Sequence, residues 1–177
     1  MESARQDKDA IIAEATELDL DDWLKERKRV MEDQFFDEDL AGEWPEEIEE
    51  KSTIGMHKDI LSGKVKSEVL LGLVGIAQPW HLPAALNYGG WNECPLPEVQ
   101  CAFFRNWQER FGAEIAAVSR DIIECVVTRP PTDKESAMKL AWEHYWYCSD
   151  VVLQGTQSIS NLAAILQNSS YWYFWWD

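Results

Sequence analysis

The stretch AEIAAVSRDIIECVV, residues 113–127, decides the fold. Two short runs rich in Ile and Val flank the polar pair Arg120-Asp121, a pattern that predicts a two-stranded hairpin. Immediately upstream, Pro97 suits the first turn of a helix in which Val99, Phe103, Trp107 and Phe111 recur every four residues, and Gly112 suits its end. Downstream, TRPPTDKE (128–135) is a boundary: Pro130 and Pro131 stop the strand, Thr132 can cap a helix and Glu135 completes a capping box. The helix expected over 133–148 is apolar nearly all round, with Ala137, Met138, Leu140, Ala141, Trp142, Tyr145 and Trp146, which implies burial on two faces. Ile159, Leu162, Ala163, Ile165 and Leu166 mark another helix. The ending SSYWYFWWD reads as a strand, with residues 172, 174 and 176 on one face and 173 and 175 on the other, buried on both sides. Buried indole N–H groups need partners, and Asn92, Gln154 and Asp177 are polar candidates for them. Strands and helices in this mixture predict an α+β fold, a small mixed or antiparallel sheet with helices packed on it.

Farther upstream, EVLLGLVGIA (68–77) is a continuous apolar run between turn residues and predicts a buried strand. AALNY (84–88) reads as a short strand and GGWNECPLP (89–97) as a turn-rich loop. Nearer the N-terminus, AIIAEATEL (10–18) predicts a short helix. A stronger one follows Asp19, Asp21 and Asp22, with Trp23, Leu24, Val30, Met31, Gln34 and Phe35 in helical period. FDEDLAGEWPEEIEEKS (36–52) reads as a solvated loop or weak helix. Two regions result, an acidic helical N-terminal extension over 1–66 and an aromatic-rich α+β domain over 67–177.

Charge narrows the function. The 177 residues hold 32 acidic and 16 basic side chains, a formal net charge of −16. Residues 1–66 carry 20 acidic and 10 basic groups, so most of the excess lies there, whereas eight of the ten Trp lie beyond residue 79. Such a surface repels phosphate backbones and anionic bilayers, which argues against direct nucleic-acid binding and against membrane docking. No apolar run reaches the roughly 18–20 residues that span a bilayer. A cytoplasmic location with four reduced cysteines is the expectation.

The chemistry-bearing residue types form no familiar constellation. A phosphate loop, a dinucleotide fingerprint and a nucleophile motif are all missing from the sequence. His144 and Cys148 stand one helical turn apart, a spacing that could ligate zinc, but a paired Cys motif and a second His cluster are lacking. No metal, cofactor or catalytic residue is therefore expected, and Cys94, in a Pro-bounded loop without a flanking cation, is expected to be structural.

Several separated motifs carry a resemblance. They are Gly89-Gly90-Trp91-Asn92-Glu93-Cys94-Pro95, then Trp107-x-x-Arg110-Phe111-Gly112-Ala113-Glu114, then Arg129-Pro130-Pro131. Tyr147-Cys148-x-Asp150-Val151-Val152-x-Gln154-Gly155 and Trp172-x-Phe174-Trp175-Trp176-Asp177 complete the series. Over about Val69 to Asp177 the chain resembles the bacterial family called domain of unknown function 4253. The resemblance implies a domain boundary near residue 68 and no particular activity. It also implies a bacterial setting, in which small acidic proteins of such families accompany toxins.

Charge and resemblance together lead to a non-enzymatic binding protein, most concretely an immunity protein that occludes the basic active-site surface of a cognate toxin, a nuclease being the natural case. The partner-binding candidates are Asp37, Glu38, Asp39, Glu43, Glu46, Glu47, Glu49 and Glu50, with Trp44 as an aromatic anchor. The alternative is a small-molecule-binding or enzymatic domain whose pocket gathers Trp91, Asn92, Glu93, Asp150, Gln154 and Asp177.

Overall fold

The computed structural model describes residues 6–34, 40–48, 54–58 and 62–177. Its elements run α1 (Lys8–Glu17), α2 (Leu20–Gln34), a 3-10 turn (Pro79–His81), α3 (Leu82–Leu86), α4 (Pro97–Phe111), β1 (Ala113–Val118) and β2 (Ile122–Val127). There follow α5 (Lys134–Tyr147), a π-helical turn (Val151–Thr156), α6 (Ile159–Leu166) and β3 (Tyr171–Trp175). The fold is α+β, with one antiparallel sheet ordered β1-β2-β3. The ladder between β1 and β2 shifts register between Ile115 and Ala117, and β2 pairs with β3 from Ile122↔Trp175 to Val126↔Tyr171.

The hairpin at 113–127 and the helix before it form as their sequence predicts, and Gly112 ends α4 in the left-handed conformation (φ 61°). A Cβ there would lie 2.0 Å from Thr128 Oγ1, so the position requires glycine twice over, by angle and by space. The stripe of α4 meets the inner face of the sheet. Trp107, fully buried, stacks on Phe174 at 5.5 Å with planes 2° apart and contacts Phe103, Tyr147, His144 and Trp172. Its indole N–H donates to Glu143 Oε2 (3.0 Å), a carboxylate that Arg110 also holds at 2.8 Å. Burial of one such aromatic is worth several kcal/mol, so this cluster dominates the core.

Four local expectations change. Residues 68–77 form no strand: Leu70, Leu71 and Leu73 are 94–97% exposed, and a Cβ added at Gly72 or Gly75 would meet nothing within 4 Å. The run has apolar side chains and strand propensity but, among the described residues, pairs with no strand, and propensity alone does not make a strand. AALNY is the end of α3 rather than a strand. Pro83 suits the first helical turn, Ala84 and Ala85 favour helix, and Asn87 closes it at φ 53°. The cap of α5 is Asp133, one residue beyond Thr132. Its Oδ1 accepts from Ser136 N (2.9 Å) and its Oδ2 from Ser136 Oγ (2.8 Å), while Glu135 pairs with Lys139 at 2.7 Å. In β3, Trp172 and Phe174 are buried, as is Trp176 just beyond it, but Tyr171, Tyr173 and Trp175 are only half-buried, so one face of the strand is packed and the other is partly open.

The N-terminal helices lie on the aromatic-rich region. Asp7 caps α1, whose Ile11 and Ala15 are buried against Ala84, Cys101 and Ala102. From α2, Trp23 meets Phe103 edge-on at 5.2 Å, and Arg27 reaches Glu93 (2.6 Å) and the carbonyl of Trp146 (3.2 Å).

Candidate functional site

Two features of the surface present chemistry, and one wall separates them. The first is the acidic segment after α2. Its attachment is also the cap of α6: Ile159 N–H donates to Leu40 O (3.0 Å), Ser160 N–H to Ala41 O (2.9 Å) and Ser160 Oγ to Gly42 O (3.0 Å). Ser158 Oγ accepts from Asn161 N–H (3.2 Å), so three N–H groups of the first helical turn are satisfied. Leu40 is buried beneath this mount, and Gly42 turns the chain at φ 64°, where a Cβ would lie 2.6 Å from Ser158 Cβ. The mount leaves Glu43, Glu46 and Glu47 exposed. Trp44 is half-buried on the core with Lys134 Nζ 4.6 Å above its ring, so this indole already serves an internal contact. Asp37, Glu38, Asp39, Glu49, Glu50 and Phe35 lie outside the described residues.

The second feature is a cleft of about 240 Å³ between the outer edge of β3, the π-helical turn and α6. A second hollow, of about 430 Å³, takes in Pro45, Glu47 and Ile48 of the acidic segment. Gly155, Thr156 and Ile165 border both. The ladder explains the polar edge of the cleft. Val127 N–H donates to Ser170 O and Trp176 N–H to Asp121 O. Alternation along an antiparallel pair then turns the main-chain groups of Trp172 and Phe174 toward β2 and those of Tyr171, Tyr173 and Trp175 outward. Ser169 Oγ engages both main-chain groups of Tyr171, and Cys148 Sγ donates to Trp175 O (3.0 Å).

His144 and Trp172 line the same cleft, each only 1% exposed, with ring centroids 4.7 Å apart. His144 Nε2 and Trp172 Nε1 are buried without a hydrogen-bond partner among the described residues. Leaving such a group unpaired costs about 1–3 kcal/mol, so both are conspicuous. Burial, with the nearby Arg110 cation second, pushes the His144 imidazole down to about 3, and it is neutral at pH 7.

The residues of the alternative pocket are largely knitted to one another. Asn92 Nδ2 donates to Asp177 O (2.7 Å), Asp177 N–H to Asp150 Oδ2 (3.0 Å) and Gln154 Nε2 to Asp150 Oδ1 (2.8 Å). Those groups tie the chain end to the π-helical turn and do not serve the indoles of Trp172 and Trp176, whose nitrogens stay unpaired. Glu93 is held by Arg27, and Trp91 packs edge-on against Tyr88 at 4.8 Å. Only Asp150 and Gln154 of this set reach the cleft.

Nothing in the local sequence pattern singles out Glu124. It is a buried carboxylate on the outer face of β2 that accepts from Gly55 N–H (2.8 Å), Met56 N–H (2.9 Å) and Tyr171 OH (2.7 Å). Its alternation with Ile123 and Cys125 places it outward, and the long-range return of Gly55 and Met56, with Tyr171, satisfies it there. The π-helical turn was equally unannounced, since the spacing that signals it is a single extra residue per turn.

All four cysteines are buried thiols. Desolvation pushes Cys94, Cys101 and Cys148 up to about 12, and Cys94 Sγ accepts from Gln100 Nε2 at 3.1 Å. Among the described residues no three His, Cys, Asp or Glu side chains are grouped to hold a metal ion, and no helix is long and apolar enough to cross a membrane.

No curated protein and no solved structure matches the chain. A family model does, the one described as Domain of unknown function (DUF4253). It covers residues 70–177, from the exposed apolar run through the sheet and both faces of the cleft to the last residue, and the protein belongs to that family.

Proposed function

We propose that the protein is a non-enzymatic binding protein of the bacterial cytoplasm, an immunity protein that neutralises a toxin by occluding its basic active-site surface. One observation carries the reading. Glu43, Glu46 and Glu47 are exposed on a segment whose main chain is fixed by the first turn of α6. Carboxylates held on such a mount lose little freedom when a cationic surface covers them, and preorganisation of this kind raises affinity. The net charge of −16 supplies long-range attraction, which speeds encounter with a basic cleft. Trp44 contributes by stiffening the segment against the core, since its ring is already half-buried under Lys134.

The test is binding kinetics with the protein encoded beside this gene. Between 0.05 and 0.5 M salt the association rate should fall on the order of tenfold or more. Glu43→Gln, Glu46→Gln and Glu47→Gln together should slow association and leave dissociation nearly unchanged, the behaviour of charges at an interface rim. Association that ignores both salt and the triple substitution would remove the acidic segment from the interface. Absence of binding would remove the immunity reading for that pair.

A further inference from the structure

We infer that the cleft between β3 and the π-helical turn is a binding site for a small, flat, uncharged heterocycle that carries a hydrogen-bond acceptor, a site distinct from the acidic segment and independent of the toxin-binding reading. Four observations lead there. His144 Nε2 and Trp172 Nε1 belong to residues that line the cleft, and both atoms are buried with no hydrogen-bond partner among the described residues. Indole N–H is a donor only, so it requires an acceptor from whatever occupies the cleft. The walls are apolar and aromatic, with Val151, Leu162, Ile165 and Tyr173, which suits a flat ring. Asp150 and Gln154 also line the cleft, Gln154 exposed, and among the described residues neither Lys nor Arg does, so an anion would meet a carboxylate and no cation in the wall.

The π-helical turn is the device that shapes the opening. Its wider winding runs from Val151 to Thr156, with Thr156 Oγ1 donating back to Val151 O (3.3 Å), and single π-helical turns occur frequently at functional sites. The volume of about 240 Å³ admits one ring or a fused pair.

The experiment uses the full chain labelled with ¹⁵N at its indole nitrogens. Trp172→Phe assigns the Trp172 N–H resonance by its disappearance. The probes are 2-pyridone, a neutral ring with a carbonyl acceptor, and benzoate, an anion of similar size. 2-Pyridone should shift the Trp172 resonance saturably, and benzoate should bind at least tenfold more weakly. His144→Phe keeps the aromatic packing and removes the ring nitrogen, and it should weaken 2-pyridone about tenfold while the other indole resonances stay dispersed as in the parent. A Trp172 resonance that does not move with 2-pyridone up to its solubility overturns the proposal. So does equal binding of benzoate, or 2-pyridone binding unchanged by His144→Phe.

Discussion

Residues 68–77 and residues 171–176 are both apolar, both rich in strand-forming side chains and both bounded by turn residues, yet they end in opposite environments. In the first, Leu70, Leu71 and Leu73 stand almost fully in solvent. In the second, Trp172, Phe174 and Trp176 are buried to within 1%. The difference lies in what surrounds them. YWYFW finds β2 on one side and an inner face already lined by Phe104, Trp107 and Tyr147, so every second side chain has a place to go. EVLLGLVGIA lacks that alternation, has open space where a Cβ of either glycine would stand, and joins no ladder among the described residues; only Ile76 and Ala77, at its end, reach a hollow shared with Leu82, Glu114 and Ile115. Hydrophobicity supplies a reason to be covered; a pairing edge and a complementary face supply the means. The comparison can be broken by substitutions whose effects differ most between the two.

The largest effect belongs to Phe174→Ala. The side chain is fully buried, stacked on Trp107 and edge-on to Phe104 and Tyr147, so truncation should cost about 3–5 kcal/mol in denaturant melts. A cost below about 1 kcal/mol would mean that β3 contributes little to the core, and the contrast with residues 68–77 would collapse.

Acid should act next, and only on the buried side. His144 packs against Trp172 and Phe174, and in the folded protein its imidazole titrates at about 3 against an ordinary 6.5. Above pH 6.5 it is neutral in both folded and unfolded chains and the pH dependence it contributes is nil. Between 6.5 and 3 the unfolded chain takes up the proton and the folded one does not, so stability falls as pH falls, by about 1.4 kcal/mol per unit. At pH 5 the loss from this group should reach about 2 kcal/mol. Urea melts of the parent and of His144→Phe from pH 7 to 5 isolate it. The parent should lose stability faster by that margin, and parallel curves would show that the imidazole charges within the fold.

This behaviour marks where sequence stopped being informative. The hairpin, α4 and α5 were legible because periodic apolar positions and the Gly112 and Pro130-Pro131 stops act locally. Turn signals and strand propensity pointed to a small sheet, mixed or antiparallel, and the ladders make it antiparallel. Local rules could not tell that residues 68–77 lack a partner, because a partner is a property of the whole chain. Glu124, an ordinary outward strand residue by alternation, is bonded by Gly55 and Met56, which return from nearly seventy residues upstream. The cleft was half visible: Asp150 and Gln154 were singled out, whereas the unpaired nitrogens of His144 and Trp172 arise from packing among four separate elements. The acidic segment was visible as charge, but its mount on α6 depends on hydrogen bonds spanning more than a hundred residues.

The smallest effect is the sharpest test of the comparison. Leu71→Asp combined with Leu73→Asp would be ruinous in a buried strand, because two carboxylates would enter an apolar layer unpaired. On side chains 94% and 97% exposed it should change folding stability by no more than about 0.5 kcal/mol, the range for surface substitutions away from special features. The substitutions should also lessen the binding of a dye that reports exposed apolar surface, since contiguous exposed aliphatics are what such dyes seek. Equilibrium melts and dye fluorescence on the same two proteins decide it. A loss of several kcal/mol would show that residues 68–77 are covered in solution, by this chain or by another copy, and the two apolar runs would then differ in partner rather than in fate.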